Sequence, residues 1–298
     1  MKTIPAVQFR HLKEFRFWLI GIAAGIAAIH LTLTWRADNV DLFGSSLLFF
    51  LAVVSLLRDR QTPLKLDSGI SASGIGIVLI TFVLVRSVVM PSKVFLLLSP
   101  LLAALGLALL ASGFNGLRQY YRELTVLFFL GAPQALVPPL VDTTGITAKF
   151  ATLVLWYLGF KVSRDGLNIY LNSGAVEVYP GCSGIEGITY LLSLAGLFLV
   201  MFPMNWFKRG LTLLVAVTVA FVVNGMRVAL MAHLVASSEM EVFQYWHKGD
   251  GSLIFSMISV LLFGACCWGL NQHEQVAEQD VDDVDDLADS DTLELQEP

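Results

Sequence analysis

Charged residues are scarce in this chain. Asp, Glu, Lys and Arg make up only 14% of its 298 residues, whereas 56% are hydrophobic and the mean hydropathy is +0.71. Apolar runs of membrane-spanning length recur along nearly the whole sequence, which leaves no room for a soluble domain of ordinary size. The few basic residues form no nucleic-acid-binding footprint, so no nucleic acid is expected as a partner.

Several chemical signatures are missing as well. No spacing of His, Cys, Asp and Glu is typical of a metal site, and neither a phosphate-binding glycine loop nor a G-x-S-x-G turn occurs. We therefore expect no metal and no cofactor. Cysteine is limited to Cys182, Cys266 and Cys267, of which the last two are neighbours in one apolar run and poorly placed to bridge. This excludes a disulfide framework.

The apolar segments predict an all-α polytopic integral membrane protein with about eight transmembrane helices. The predicted spans cover about 17–33, 42–57, 74–90, 94–111, 124–141, 183–202, 211–234 and 253–270. With the N-terminus inside, eleven Lys and Arg residues of the N-terminal arm and the connecting segments fall on the cytoplasmic side, and six fall on the outer side. Both termini are therefore predicted to be cytoplasmic.

Three parts of the chain are predicted to differ in character. Residues 1–16 form a basic cytoplasmic arm, and 17–271 form a single transmembrane domain. Residues 272–298 form an acidic cytoplasmic tail, which is predicted to be disordered because it repeats Asp with few large apolar residues.

A long outer loop, 142–181, precedes the sixth predicted span. Its segment 146–160 is short for a span and carries Lys149 near its start, so we predict an amphipathic or re-entrant element there. Two alternating runs on either side of Asn172-Ser173-Gly174 then predict a short β-hairpin. This hairpin leads the chain directly into Cys182.

The segment Pro180–Gly187 holds the residue of greatest chemical interest. It places Cys182 between flexible glycines, just ahead of an apolar run. A thiol in the first turn of a helix lies at the positive end of the helix dipole, which favours the nucleophilic thiolate. A free cysteine is more often a small packing residue, so the assignment depends on the residues that join it.

The predicted topology brings two such residues to the same membrane face. Arg227 lies about 24 Å along its span from Leu211, near the outer end, where an ionisable residue is costly and is usually paired, functional or snorkelling to the headgroups. His247 lies in the outer loop that follows and is a candidate general base, because imidazole titrates near neutral pH. A lone loop histidine is more often inert, and His233 is a rival that falls off the helical face of Arg227.

Three further polar residues have supporting roles in this interpretation. Asn224 shares a helical face with Arg227 and is predicted to orient its guanidinium. Glu186, one turn after Cys182, is a candidate partner for Arg227 and equally a solvated residue. Arg86 is read as either structural or substrate-orienting.

At these residues the sequence resembles the exosortase/archaeosortase family. The family pattern is a Cys-Ser-Gly ahead of a span, an Asn-x-x-Arg near the end of another, and a His followed by a glycine-containing start to the next. Here these motifs begin at Cys182, Asn224 and His247, and they extend over about 90 residues from Glu177 to Phe263. The chain is most similar to the cyanobacterial type of the family.

The resemblance implies a cysteine protease and transpeptidase of the plasma (inner) membrane, with its site on the outer face. Its protein partners would be exported proteins whose C-terminal sorting signal joins a Pro-Glu-Pro type (PEP-CTERM) motif, a lipid-embedded helix and a basic cluster. Cys182 would attack the scissile carbonyl to form a thioacyl enzyme while His247 shuttles the proton. Arg227 would stabilise the thiolate or the tetrahedral oxyanion.

Two other functional classes remain open on the residues. In a transporter or membrane scaffold, Arg227, Arg86 and Glu186 would line a path and Cys182 would only pack, although such proteins place polar residues near the bilayer midplane. A membrane acyltransferase would use the same thiol on a lipid substrate.

Overall fold

The computed structural model describes the backbone of residues 15–62, 64–89, 91–249 and 251–294 and, within these ranges, the side chains from Phe17 to Gln272 except Lys248. Most of the predicted N-terminal arm at 1–16 lies outside the described residues. The described chain is mostly helical. Its helices are α1 (Phe15–Arg36), α2 (Val40–Arg58), α3 (Ile70–Val88), α4 (Lys93–Gly116), α5 (Tyr121–Leu136), α6 (Thr144–Tyr157), α7 (Ile185–Met201), α8 (Trp206–Ala236), α9 (Met240–Lys248) and α10 (Gly251–Glu294). Its strands are β1 (Val162–Asp165), β2 (Asn168–Leu171) and β3 (Gly174–Glu177).

The polytopic character predicted from the sequence is confirmed. Within the described residues, six helical segments are long and apolar enough to cross a membrane, and one of them, Lys93–Leu136, holds both α4 and α5. Helix α7 is apolar but shorter, at 17 residues. The count of eight spans therefore stays a prediction, whereas the positions of the apolar helices follow the predicted spans closely.

The chain forms two compact units. One contains the chain up to Val141 together with Leu192–Pro203, and the other contains Asp142–Leu191 together with the chain from Met204 onward. All the residues predicted for the site, from Cys182 to His247, belong to the second unit.

In the first unit, α3 and α4 approach closely where two glycines face each other. A Cβ added to Gly76 would lie 2.6 Å from the carbonyl oxygen of Gly106, so any side chain there would overlap the backbone of α4. Small residues permit such close helix packing where lipid supplies no hydrophobic drive for association. In the same unit, the Arg86 guanidinium lies 5.8 Å from the centroid of the Phe95 ring, which is a cation–π contact between α3 and α4.

A buried histidine joins three helices of the first unit. His30 of α1 is 4% exposed, and its ring nitrogens lie 2.9 Å from Ser46 Oγ of α2 and 3.2 Å from Ser99 Oγ of α4. Both ring nitrogens are thereby satisfied, as a polar group in an apolar interior requires.

The second unit is built around α6, α8 and the sheet. Their shared core contains Ala148, Ala151, Leu155, Ile169, Val178, Val228, Ala229 and Ala232. The three strands form an antiparallel sheet in the order β1-β2-β3. The β2–β3 pairing is the predicted hairpin, whereas β1 was missed because its Val-Ser-Arg-Asp sequence has little apolar character and its side chains are mostly exposed.

Helix α6 occupies the segment predicted to be amphipathic or re-entrant. Its inner face is buried at Ala148 and Ala151, yet its outer face also carries apolar side chains, among them Ile146 and Trp156, each more than half exposed. The exposed face of the helix is therefore largely apolar apart from Lys149. The assignment of this segment as an amphipathic or re-entrant element stays a prediction.

Helical structure extends beyond both ends of the last apolar span. The segment 237–251, predicted to be an outer loop, contains the short helix α9. At the other end, the backbone of α10 continues to Glu294, through the acidic segment for which the composition favours disorder. Its Leu, Ala, Glu and Gln residues are good helix formers, which permits the continuation.

The close approach of α3 and α4 generates a testable prediction. Gly76→Ala should lower the unfolding free energy of the detergent-solubilised protein by about 1–3 kcal/mol, since its methyl group overlaps a backbone carbonyl. Thermal unfolding measures the effect. The matched control is Gly74→Ala in the same helix, where an added Cβ meets nothing within 4 Å; equal melting temperatures for the two variants would contradict the packing argument.

Candidate active site

Cys182 lies in a tight turn between β3 and α7. Residues Pro180–Cys182 form a single 3-10 turn, in which the Cys182 N–H donates to the Tyr179 carbonyl at 2.8 Å. Gly184 follows with φ +84°, a left-handed conformation that side chains disfavour, and α7 begins one residue later. The thiol therefore lies just ahead of α7, and not in its first turn as the sequence suggested, so the helix dipole acts on it from a greater distance.

Three side chains hold the two carbonyl groups that follow the thiol. Asn224 Nδ2 of α8 donates to the Cys182 carbonyl at 3.0 Å. Thr143 Oγ1 and Thr147 Oγ1 donate to the Ser183 carbonyl at 2.9 Å and 2.8 Å. We call this set the carbonyl clamp. Asn224 thus positions the backbone of the nucleophile, whereas the sequence suggested that it orients Arg227.

The Cys182 side chain is half-buried against the core that α6, α8 and the sheet share. Its thiol is in hydrogen-bonding contact with the Tyr179 hydroxyl. Cys266 and Cys267 lie far along the chain in α10, exposed and buried respectively, and neither forms a disulfide.

Arg227 reaches the same site from α8. Its Nη2 donates to the His247 carbonyl at 2.9 Å, which joins the end of α8 to α9. Within the described part of the chain, its Nε is buried and has no hydrogen-bond partner. A buried donor without a partner is costly, so this N–H is available to an acceptor that a substrate would bring. Glu186 stands exposed in the first turn of α7.

His247 lies near the C-terminal end of α9. Its ring stacks on Phe243, one turn earlier, with 5.0 Å between centroids and 14° between planes. Its Nε2 lies 3.1 Å from the Tyr179 hydroxyl. The rival His233 instead packs against Phe160, with 4.8 Å between ring centroids. The structure therefore joins His247 to the thiol's neighbourhood through Tyr179.

Sequence reasoning missed Tyr179, as it missed Thr143 and Thr147 of the carbonyl clamp. The Tyr179 hydroxyl contacts both Cys182 and His247, and its ring covers Gly181, where an added Cβ would lie 2.6 Å from Tyr179 Cε2. The hydrogen bond to the Cys182 sulfur raises the pKa of the phenol, as do burial and the negative charge of the thiolate, and the Arg227 charge opposes the shift. The only sequence signal was its place three residues before Cys182.

This arrangement suits nucleophilic chemistry. It combines a polarisable sulfur, an imidazole that accepts and returns a proton, and a cationic donor beside them. In the described residues no group of three or more His, Cys, Asp and Glu side chains is placed to hold a metal ion.

The turn before α7 provides a test of the clamp. Gly184→Ala should loosen it, because the new Cβ would lie 2.6 Å from Asn224 Nδ2 at a φ that alanine disfavours. We expect faster hydrogen–deuterium exchange of the backbone amides of 182–188, measured by mass spectrometry. Gly187→Ala is the control, since its Cβ meets nothing within 4 Å. Unchanged exchange in Gly184→Ala would show that the clamp does not depend on this glycine.

Comparison with known protein families gives a match over most of the chain. The family model described as transmembrane exosortase (Exosortase_EpsH) matches residues 34–264, which is more than half of the chain and includes every site residue above. No match was found among curated proteins or among solved structures. On this match, the chain belongs to the transmembrane exosortase family.

Proposed function

We propose that this protein is a cysteine peptidase and transpeptidase that cleaves C-terminal sorting signals of the PEP-CTERM type from exported proteins. The observation that carries the proposal is the grouping of a thiol, an imidazole and a guanidinium around one turn of the second unit. Family membership supports the same conclusion. The substrate's own helix would lie in the lipid beside the spans.

The reaction begins when the Cys182 thiol gives its proton to His247 and the sulfur attacks the scissile carbonyl carbon. The oxygen of the tetrahedral intermediate gains negative charge, and the buried Nε–H of Arg227 is available to stabilise it by donating a hydrogen bond. The C–N bond then breaks, His247 supplies a proton to the leaving amine, and the thioacyl enzyme forms. An amine or water resolves this intermediate after giving a proton to His247.

The carbonyl clamp argues against the transporter or scaffold alternative. A cysteine that only packs needs a suitable volume, whereas here Asn224, Thr143 and Thr147 fix the backbone on its C-terminal side. Fixed backbone geometry is what a nucleophile needs for a reproducible attack. A membrane acyltransferase would need the same geometry, so the substrate decides between the two enzymes.

The proposed location is the plasma (inner) membrane, with both termini in the cytoplasm and the site at the outer face. The excess of Lys and Arg in the predicted cytoplasmic segments supports this orientation. An outer site would meet sorting signals after export, when the signal's motif has crossed the bilayer and its basic end has not.

A peptide trap tests the proposed function. A labelled peptide with the sorting motif, its apolar helix and its basic end should form a thioester at Cys182 of the full-length protein in vesicles, detected by mass spectrometry. Cys182→Ala should give no adduct, whereas Cys266→Ala, which removes an exposed cysteine outside the site, should label as the unaltered protein does. An adduct that persists in Cys182→Ala, or a thioester only with an acyl lipid, would overturn the peptidase assignment.

The role of Arg227 generates a second prediction. Arg227→Lys keeps the positive charge but loses the planar set of donors, including Nε. We expect kcat for peptide cleavage to fall about 100- to 1,000-fold with a small change in KM, because the lost contact belongs to the transition state. Arg209→Lys, 18 residues before Arg227 in the same helix, should change kcat little. A rise in KM with unchanged kcat would assign Arg227 to substrate binding instead.

A further inference from the structure

The hydroxyl of Tyr179 touches both groups that exchange a proton in the proposed reaction. It lies 3.1 Å from His247 Nε2 and is in hydrogen-bonding contact with the Cys182 thiol. A phenol can donate one hydrogen bond while it accepts another, so it suits a place between an acid and a base. We propose that Tyr179 carries the proton between the Cys182 sulfur and His247 Nε2, an inference that rests on the proposed function.

The proton transfer balances without any further reactant. The S–H bond of Cys182 and the O–H bond of Tyr179 break, while a new O–H bond forms on Tyr179 and an N–H bond forms on His247. The products are a thiolate, a neutral tyrosine and an imidazolium. The tyrosine then donates to the thiolate and accepts from the imidazolium. The reverse transfer would return the proton after the thioester is resolved.

The fold fixes Tyr179 from both sides. Before it, Val178 is fully buried, and its N–H donates to the Leu167 carbonyl at 3.0 Å. After it, Cys182 N–H donates to the Tyr179 carbonyl, and the ring lies over Gly181. The ring is nevertheless 45% exposed, so Tyr179 contributes less to the core than its neighbour does. These backbone contacts therefore fix the position of the hydroxyl more than they contribute to core packing.

The protonation of the neighbours agrees with this role. The hydrogen bond to Cys182 and burial raise the pKa of the Tyr179 phenol, so the hydroxyl keeps its proton over the range in which an ordinary tyrosine loses it. The other ionisable groups of the site are Arg227 from α8 and His247 from α9, and Glu186 follows in the first turn of α7.

The test measures the pH dependence of Cys182 alkylation by iodoacetamide in the full-length protein, with mass spectrometry of the peptide that contains Cys182. The unaltered protein supplies the reference profile of rate against pH. Tyr179→Phe keeps the ring and removes the hydroxyl. It should move the rise of this profile to higher pH, lower the alkylation rate at pH 7 about tenfold and lower peptide cleavage about 100-fold.

Two further variants separate proton transfer from a structural role. Tyr170→Phe is the matched control, because Tyr170 is 42% exposed in the same sheet and lies outside the site; its profile should not move. If Tyr179 acts together with His247, Tyr179→Phe in a His247→Ala background should add no further shift. An unmoved profile in Tyr179→Phe, or shifts that add in the double variant, would overturn the proposal.

The outcomes also separate this inference from the proposed function. If the unaltered protein forms the peptide thioester and Tyr179→Phe leaves the alkylation profile unchanged, the proposed function stands and the proton relay is wrong. If Tyr179→Phe shifts the alkylation profile as expected but the unaltered protein forms no peptide thioester, the proton relay stands and the substrate assignment is wrong.

Discussion

The site depends on the hydrogen bonds that hold the backbone around Cys182. Amide and hydroxyl donors from α8, from α6 and from the residue just before α6 satisfy two successive carbonyl groups, which the sharp turn at Gly184 would otherwise leave without helical partners. In an apolar setting, each such group costs free energy unless it is bonded. The same contacts therefore stabilise the start of α7 and fix the direction of the thiol. These residues therefore contribute both to the stability of the turn and to the geometry of the nucleophile.

The sheet supplies the second constraint. Its central strand buries Ile169 completely, and its last strand leads to Val178, which is also fully buried. Gly174 lies against the end of α8, where an added Cβ would be 3.1 Å from Val235 Cγ1. A one-residue slip of the strands would turn these side chains away from the core, so the register is well specified. The register of the strands therefore determines the position of Tyr179.

Much of this architecture follows from the sequence, for identifiable reasons. Apolar runs predict the helices because lipid demands them, and the alternation around Asn172-Ser173-Gly174 predicts β2 and β3. Cys182, Arg227 and His247 are rare residue types in unusual places, which makes them visible. The sequence does not distinguish Thr143, Thr147 and Tyr179 in this way, because threonine and tyrosine also occur in helices and strands without any function. Their roles come from contacts between distant segments, which leave no periodicity in the sequence.

Helix α8 has a consequence for the setting of the site. Its 31 residues extend about 46 Å, whereas the hydrocarbon layer of a bilayer is about 30 Å thick. A helix this long must tilt or project into the headgroup layer. Asn224 and Arg227 lie within its last four turns, so the tilt sets the depth at which they stand relative to the lipid. Bilayer thickness therefore influences the reaction, because it determines how far the guanidinium and the thiol lie from water.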